Sequence, residues 1–80
     1  MTNTIDITET IQATCRELLK LPDLAPGEDF FDRGVSSLTV VELQLRIEEQ
    51  LSLQVATSKL MAAPSIDGWA NAYRDAASAA

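Results

Sequence analysis

The chain has 80 residues, 46% hydrophobic and 22% charged, and its 12 acidic side chains against 6 basic ones give a net charge of −6. That length allows one small domain spanning residues 1–80, and the composition is globular rather than disordered. An acidic surface repels phosphate backbones and anionic lipid, which excludes nucleic-acid binding and suits partners with basic patches.

The polar start, Met1 to Asp6, lacks the charged and apolar regions of a signal peptide, so the cytoplasm is the expected compartment. The initial Met favours a discrete protein, and a monomer is expected. Residues 5 to 21 are predicted as the first helix. Ile7, Ile11, Cys15, Leu18 and Leu19 fall at i, i+4, i+8, i+11 and i+12, which is one helical face. Pro22 ends it, because the residue before a proline disfavours the α region. Thr8, Glu9, Glu17 and Lys20 lie off the stripe and should be solvated. Cys15 is the single cysteine, so no intrachain disulfide can form, and no metal-ligand cluster surrounds it.

Residues 22 to 36, PDLAPGEDFFDRGVS, form a loop with two prolines, two glycines and four acids. Loops this long are uncommon in compact domains unless functional or well packed. Leu24, Phe30 and Phe31 are its expected anchors into the core. Asp32 to Gly34 reads as a turn.

Residues 37 to 51 read as the second helix, uninterrupted by Gly or Pro. Residues 52 to 57 connect onward, with Leu53 and Val55 alternating inward. Residues 58 to 62, SKLMA, form a short helix. Pro64 stops it, and Ser65 is the expected N-cap of the last helix. Ile66, Trp69, Ala70 and Tyr73 repeat at i, i+3, i+4 and i+7, carrying that helix to about Ala77. The ends, about 1–4 and 77–80, should fray. No run approaches the ~20 apolar residues of a membrane span, and no strand-like alternation appears. The expected fold is all-α: a four-helix bundle of three main helices and a short third one, with a long loop between the first two.

The second helix carries two apolar stripes. Val40, Leu43, Ile47 and Leu51 run its full length and are assigned to the core. Leu38, Val41 and Leu45 are confined to its first half, flanked by Glu42 and Glu49. An exposed apolar strip with an acidic rim suits a protein-binding surface, while a further packed helix would bury both stripes.

Ser36 and Ser37 stand side by side where this helix begins, after Gly34. Either hydroxyl could cap the helix by accepting an orphan backbone N–H, worth ~1 kcal/mol. Thr39 to Glu42 also fits capping-box spacing, which would start the helix later. A catalytic nucleophile needs a nearby base. There is no histidine, which excludes Ser-His and Cys-His pairs, and Lys20 and Lys59 form no Ser-x-x-Lys pattern. A third reading is covalent attachment. A phosphodiester at a helix N-terminus is favoured by ~0.3–1 kcal/mol. The local pattern leaves capping and attachment both open.

Residues 29 to 51, DFFDRGVSSLTVVELQLRIEEQL, resemble the signature of the acyl and peptidyl carrier proteins. In that family a Phe-acid-x-Gly turn leads to a Ser-Leu pair opening the second helix, matched here by Gly34, Ser37 and Leu38. Val40, Glu42, Leu43 and the pair Glu48-Glu49 also follow the family's helix. The segment KLMAAPSIDGWANAY resembles its short third helix and the Pro-(Thr/Ser)-Ile opening of the fourth. The resemblance covers nearly the whole chain. It implies that Ser37 carries a covalent 4′-phosphopantetheine arm taken from coenzyme A. It also implies that Leu38, Val41 and Leu45 face partners, with Glu42 and Glu49 as acidic contacts.

The chain departs from many relatives at Ser36, where an acid is common, and at Arg46, a base on a helix usually dominated by acids. The Gly-x-x-Ser spacing and Leu38 select Ser37 as the modified serine. Residues 28 to 49 still hold six acids against two bases. By resemblance the chain is a non-catalytic carrier that holds acyl, aminoacyl or aryl groups as thioesters. Its implied partners are a phosphopantetheinyl transferase, an AMP-forming ligase or acyltransferase, and synthase or condensation enzymes. A secondary-metabolite pathway of polyketide or nonribosomal peptide type is favoured over housekeeping fatty-acid synthesis. An unmodified helical interaction module is the reading outside the family.

Overall fold

The computed structural model describes residues 4–79, with side chains from residue 7 onward. The first helix, α1, spans Thr4–Leu19 and buries Ile7, Ile11 and Cys15 as its periodicity requires. It stops two residues before the expected end. Leu21 precedes Pro22 and resists the α region, so Lys20 turns left-handed at φ 58° and the Leu21 N–H closes on the Arg16 carbonyl at 3.0 Å. Glu9, Glu17 and Lys20 are exposed. Thr8 is half-buried instead, because Arg74 Nη1 donates to its hydroxyl at 3.1 Å across to the last helix.

The long loop is packed and internally bonded. Arg16 donates through Nε and Nη2 to the Leu24 carbonyl at 3.1 and 2.9 Å. Arg33 pairs with Asp23 at 3.1 Å and Glu28 at 3.0 Å. Asp29 Oδ1 accepts the Phe31 N–H at 2.7 Å and starts a single 3-10 turn, Phe31–Arg33. Leu24 and Phe30 are fully buried, as expected. Phe31 is not an anchor: it is 38% exposed. In a tight helical turn, successive side chains point about a third of a circle apart, so only one of two adjacent rings can face the core. Phe30 takes that place, edge-on to Trp69 with ring centroids 5.4 Å apart.

The second helix, α2, spans Ser37–Leu51, the short α3 spans Thr57–Ala62, and α4 spans Ile66–Ala79. Leu53 and Val55 are half-buried between α2 and α3. Ser65 caps α4 as expected, its hydroxyl accepting the Gly68 N–H at 3.0 Å. Gly68 is required by close approach, since a side chain there would overlap the Ala63 carbonyl. The last helix runs two residues past Ala77. The expected fraying of residues 1–3 and 80 lies outside the described residues.

α1 packs along both α2 and α4, and α3 packs against α4. Their apolar faces meet in one core around Trp69, Tyr73, Phe30, Leu43 and Ile47. The Trp69 indole N–H, buried there, donates to the Leu60 carbonyl of α3 at 3.0 Å. The fold is therefore an all-α four-helix bundle. Among the described residues there is no strand, and no helix is long and apolar enough to cross a membrane.

Candidate functional site

The start of α2 is positioned from the core outward. Buried Phe30 donates its N–H to the Pro64 carbonyl at 2.8 Å and accepts the Val35 N–H at 3.2 Å. The 3-10 turn between them ends at Gly34, at φ 84°, a left-handed conformation that strains any residue with a Cβ. The chain then extends through Ser36, at φ −82° and ψ 158°, and enters the helix.

That geometry separates the two serines. Ser36 Oγ accepts the Thr39 N–H at 3.2 Å and lies 3.0 Å from the Thr39 hydroxyl. Its carbonyl takes the first helical bond, from the Val40 N–H at 3.0 Å. Ser36 is therefore the N-cap. The capping-box alternative does not hold, because Thr39 already lies within the first turn of α2. Ser37 is the first helical residue. It is exposed, and among the described residues its hydroxyl has no hydrogen-bond partner.

The surroundings fit a phosphodiester. The hydroxyl sits at the positive end of a 15-residue helix, and no acidic side chain occupies the first turn to repel an anion. The sequence holds no histidine to pair with Ser37. Among the described residues no group of three His, Cys, Asp or Glu side chains could hold a metal.

The two stripes of α2 part as the sequence indicated. Val40, Leu43, Ile47 and Leu51 are buried. Leu38 is 79% and Leu45 64% exposed, Val41 is half-buried between the stripes, and Glu42, Arg46 and Glu49 are exposed around them. Phe31 adds a partly exposed ring from the preceding loop.

Two residues on α2 carry structure that periodicity did not reveal. Gln44 is buried, and Glu48 is half-buried beside it. Glu48 Oε2 accepts from the Tyr73 hydroxyl at 3.0 Å, the Val55 N–H at 3.0 Å and Gln44 Nε2 at 3.2 Å. Burial and the neighbouring carboxylate push the Tyr73 hydroxyl far above its usual pKa, so it stays protonated as a donor. Of the pair Glu48-Glu49, only Glu49 is thus free to face outward. The signal for Gln44 was its place beside the core stripe, between Leu43 and Ile47. Burial also pushes the Cys15 thiol up to about 12, which leaves it neutral and inert.

The profile of the phosphopantetheine attachment site family matches residues 9–73, which includes every residue described at this site. The chain is also 39% identical over 54 residues to a dimodular nonribosomal peptide synthase of Bacillus subtilis (strain 168). That match covers 68% of this chain and 2% of the relative's length. No solved structure matches the chain significantly. An all-α bundle, an exposed serine opening its second helix and a family match over most of its length lead to one assignment: the chain belongs to the phosphopantetheine attachment site family and is a carrier protein whose cofactor is covalent 4′-phosphopantetheine.

Proposed function

We propose that Ser37 is the attachment residue and that the chain carries acyl, aminoacyl or aryl intermediates without catalysing their turnover. The observation that carries this reading is the division of labour between adjacent serines. Ser36 is committed to the cap, and Ser37 presents a free hydroxyl at the helix end. Ser37 Oγ would displace adenosine 3′,5′-bisphosphate from coenzyme A, giving up its proton to a base of a phosphopantetheinyl transferase. When bound, the cofactor supplies a flexible arm whose terminal thiol holds the cargo as a thioester. The bundle supplies the anchor, which keeps cargo at high effective concentration near each partner's site.

Leu38, Val41 and Leu45, rimmed by Glu42 and Glu49, are the proposed contact face for the transferase, a loading ligase or acyltransferase, and downstream synthase or condensation enzymes. The exposure of Leu38 and Leu45 supports this, since large apolar side chains in water cost solvation unless a partner covers them. Similarity to a nonribosomal peptide synthase favours a peptidyl or aryl carrier in secondary metabolism over a fatty-acid carrier. Exposed Arg46 would set partner choice by asking for an acidic contact.

Intact mass after incubation with coenzyme A and a broad-specificity transferase tests the assignment. The native chain should gain one phosphopantetheine, Ser36→Ala should gain it too, and Ser37→Ala should not. Modification of Ser37→Ala, or no gain in the native chain with several transferases, would overturn it.

A further inference from the structure

The three long helices leave one side of the core to be closed by residues 52–62, which run from the end of α2 through α3. This wall is thin. Within it Leu60 is buried, and Leu53, Val55 and Met61 only partly so. A wall held by apolar contacts alone could lift and let a hydrocarbon chain slip beneath it. This one is also held by hydrogen bonds, partly buried, that tie α2 to residues 55 and 57, with Thr57 at the exposed edge. Gln44 spans it with both ends of its amide: Nε2 donates to the Val55 carbonyl at 3.0 Å, and Oε1 accepts from the Thr57 hydroxyl at 2.9 Å. Glu48 accepts the Val55 N–H and the Tyr73 hydroxyl on one carboxylate oxygen, Oε2, both at 3.0 Å. Among the described residues every fully buried side-chain nitrogen and oxygen has a partner.

We propose that Gln44, Glu48, Thr57 and Tyr73 form a polar lock that keeps cargo outside the bundle. The carrier then suits short or polar acyl groups, such as aminoacyl and aryl units, rather than long alkyl chains. An alkyl chain entering between α2 and α3 would part Gln44 and Glu48 from Val55 and Thr57. It offers no donor or acceptor to replace them, so the bonds lost leave polar groups of buried Gln44 and half-buried Glu48 and Val55 facing hydrocarbon. Because the groups share acceptors, one break weakens the rest. A short or polar cargo has little to gain from burial and leaves the lock shut.

The inference rests on Ser37 as the attachment site, and its test separates the two. Acetyl- and octanoyl-coenzyme A are used to load the chain through the transferase, with release of adenosine 3′,5′-bisphosphate, and intact mass reports attachment first. The loaded forms are then compared by thermal melting and by thioester cleavage with hydroxylamine. The lock predicts equal melting temperatures and cleavage rates within about twofold of each other. Burial of eight carbons would instead raise the melting temperature by ~5 °C or more and slow cleavage at least tenfold. That outcome overturns the lock while leaving Ser37 in place. Independently of any arm, amide exchange at Val55 in the unmodified chain should be as slow as at core amides of α2. Exchange at the rate of an exposed loop overturns the lock whatever Ser37 carries.

Discussion

The Tyr73 hydroxyl donates to Glu48 Oε2 at 3.0 Å, joining the middle of α4 to the last turns of α2. Removing the hydroxyl in Tyr73→Phe deletes one bond to a half-buried carboxylate. The expected loss is about 1–2 kcal/mol, or roughly 5–15 °C in Tm for a chain of this size. Glu48→Ala should cost more, since it strips the acceptor from Tyr73, Val55 and Gln44 together. Urea unfolding of both variants checks the order. Equal stability of Glu48→Ala and the native chain would show that the carboxylate is not structural.

Ser36 and Ser37 should separate in a second assay besides mass. Ser36→Ala removes the cap and should cost about 1 kcal/mol. Ser37→Ala changes an exposed first-turn residue and should stay within about 0.5 kcal/mol of the native chain. Chemical denaturation reads the difference. Attachment reads in the opposite sense, so the two serines exchange rank between the two measurements.

The exposed stripe should be dispensable for folding. Leu38→Ala and Leu45→Ala remove side chains already largely in water, 79% and 64% exposed, and should leave stability within about 0.5 kcal/mol. Leu43→Ala, one face away and fully buried, should cost about 2–5 kcal/mol. If Leu38 and Leu45 meet partners, the first two variants should still fold but be modified more slowly by the transferase. Unchanged modification rates in the double variant would remove that role.

Cys15 gives a pH prediction with a defined sign. Its thiol is pushed up to about 12 from 9.0 by burial. Below pH ~9 both folded and unfolded thiols are protonated, and no dependence arises. Between about 9 and about 12 the unfolded thiol ionises while the folded one does not. The unfolded state then binds fewer protons, so stability falls as pH rises, by up to ~1.4 kcal/mol per pH unit. Cys15→Ala should flatten that part of the profile. A neutral, buried Cys15 also cannot capture a thioester from the arm. A thiol reagent at neutral pH should therefore count no reactive thiol in the native unmodified chain and one after denaturation.

Much of this protein was legible in its sequence because helices report themselves locally. The stripe of Ile7, Ile11 and Cys15, the Pro22 stop, the Ser65 cap and the division of α2 into a core stripe and an outer strip all follow from 3.6-residue periodicity and cap chemistry. The Gly34–Ser37–Leu38 spacing pointed to a carrier only through its resemblance to the carrier-protein signature, since local cap chemistry left capping and attachment both open. What only the tertiary structure decided is where local rules allow more than one answer. Either Phe30 or Phe31 could have faced inward, and contact with Trp69 and the Pro64 carbonyl chose Phe30. Either Ser36 or Ser37 could have capped, and the backbone direction imposed by Gly34 chose Ser36, leaving Ser37 unengaged. Gln44 and Glu48 read as ordinary polar helix residues. Their roles depend on Val55, Thr57 and Tyr73, which lie 7 to 25 positions away from their partners. Hydrogen bonds across such separations leave no period in the sequence, and folding alone brings the donors to their acceptors.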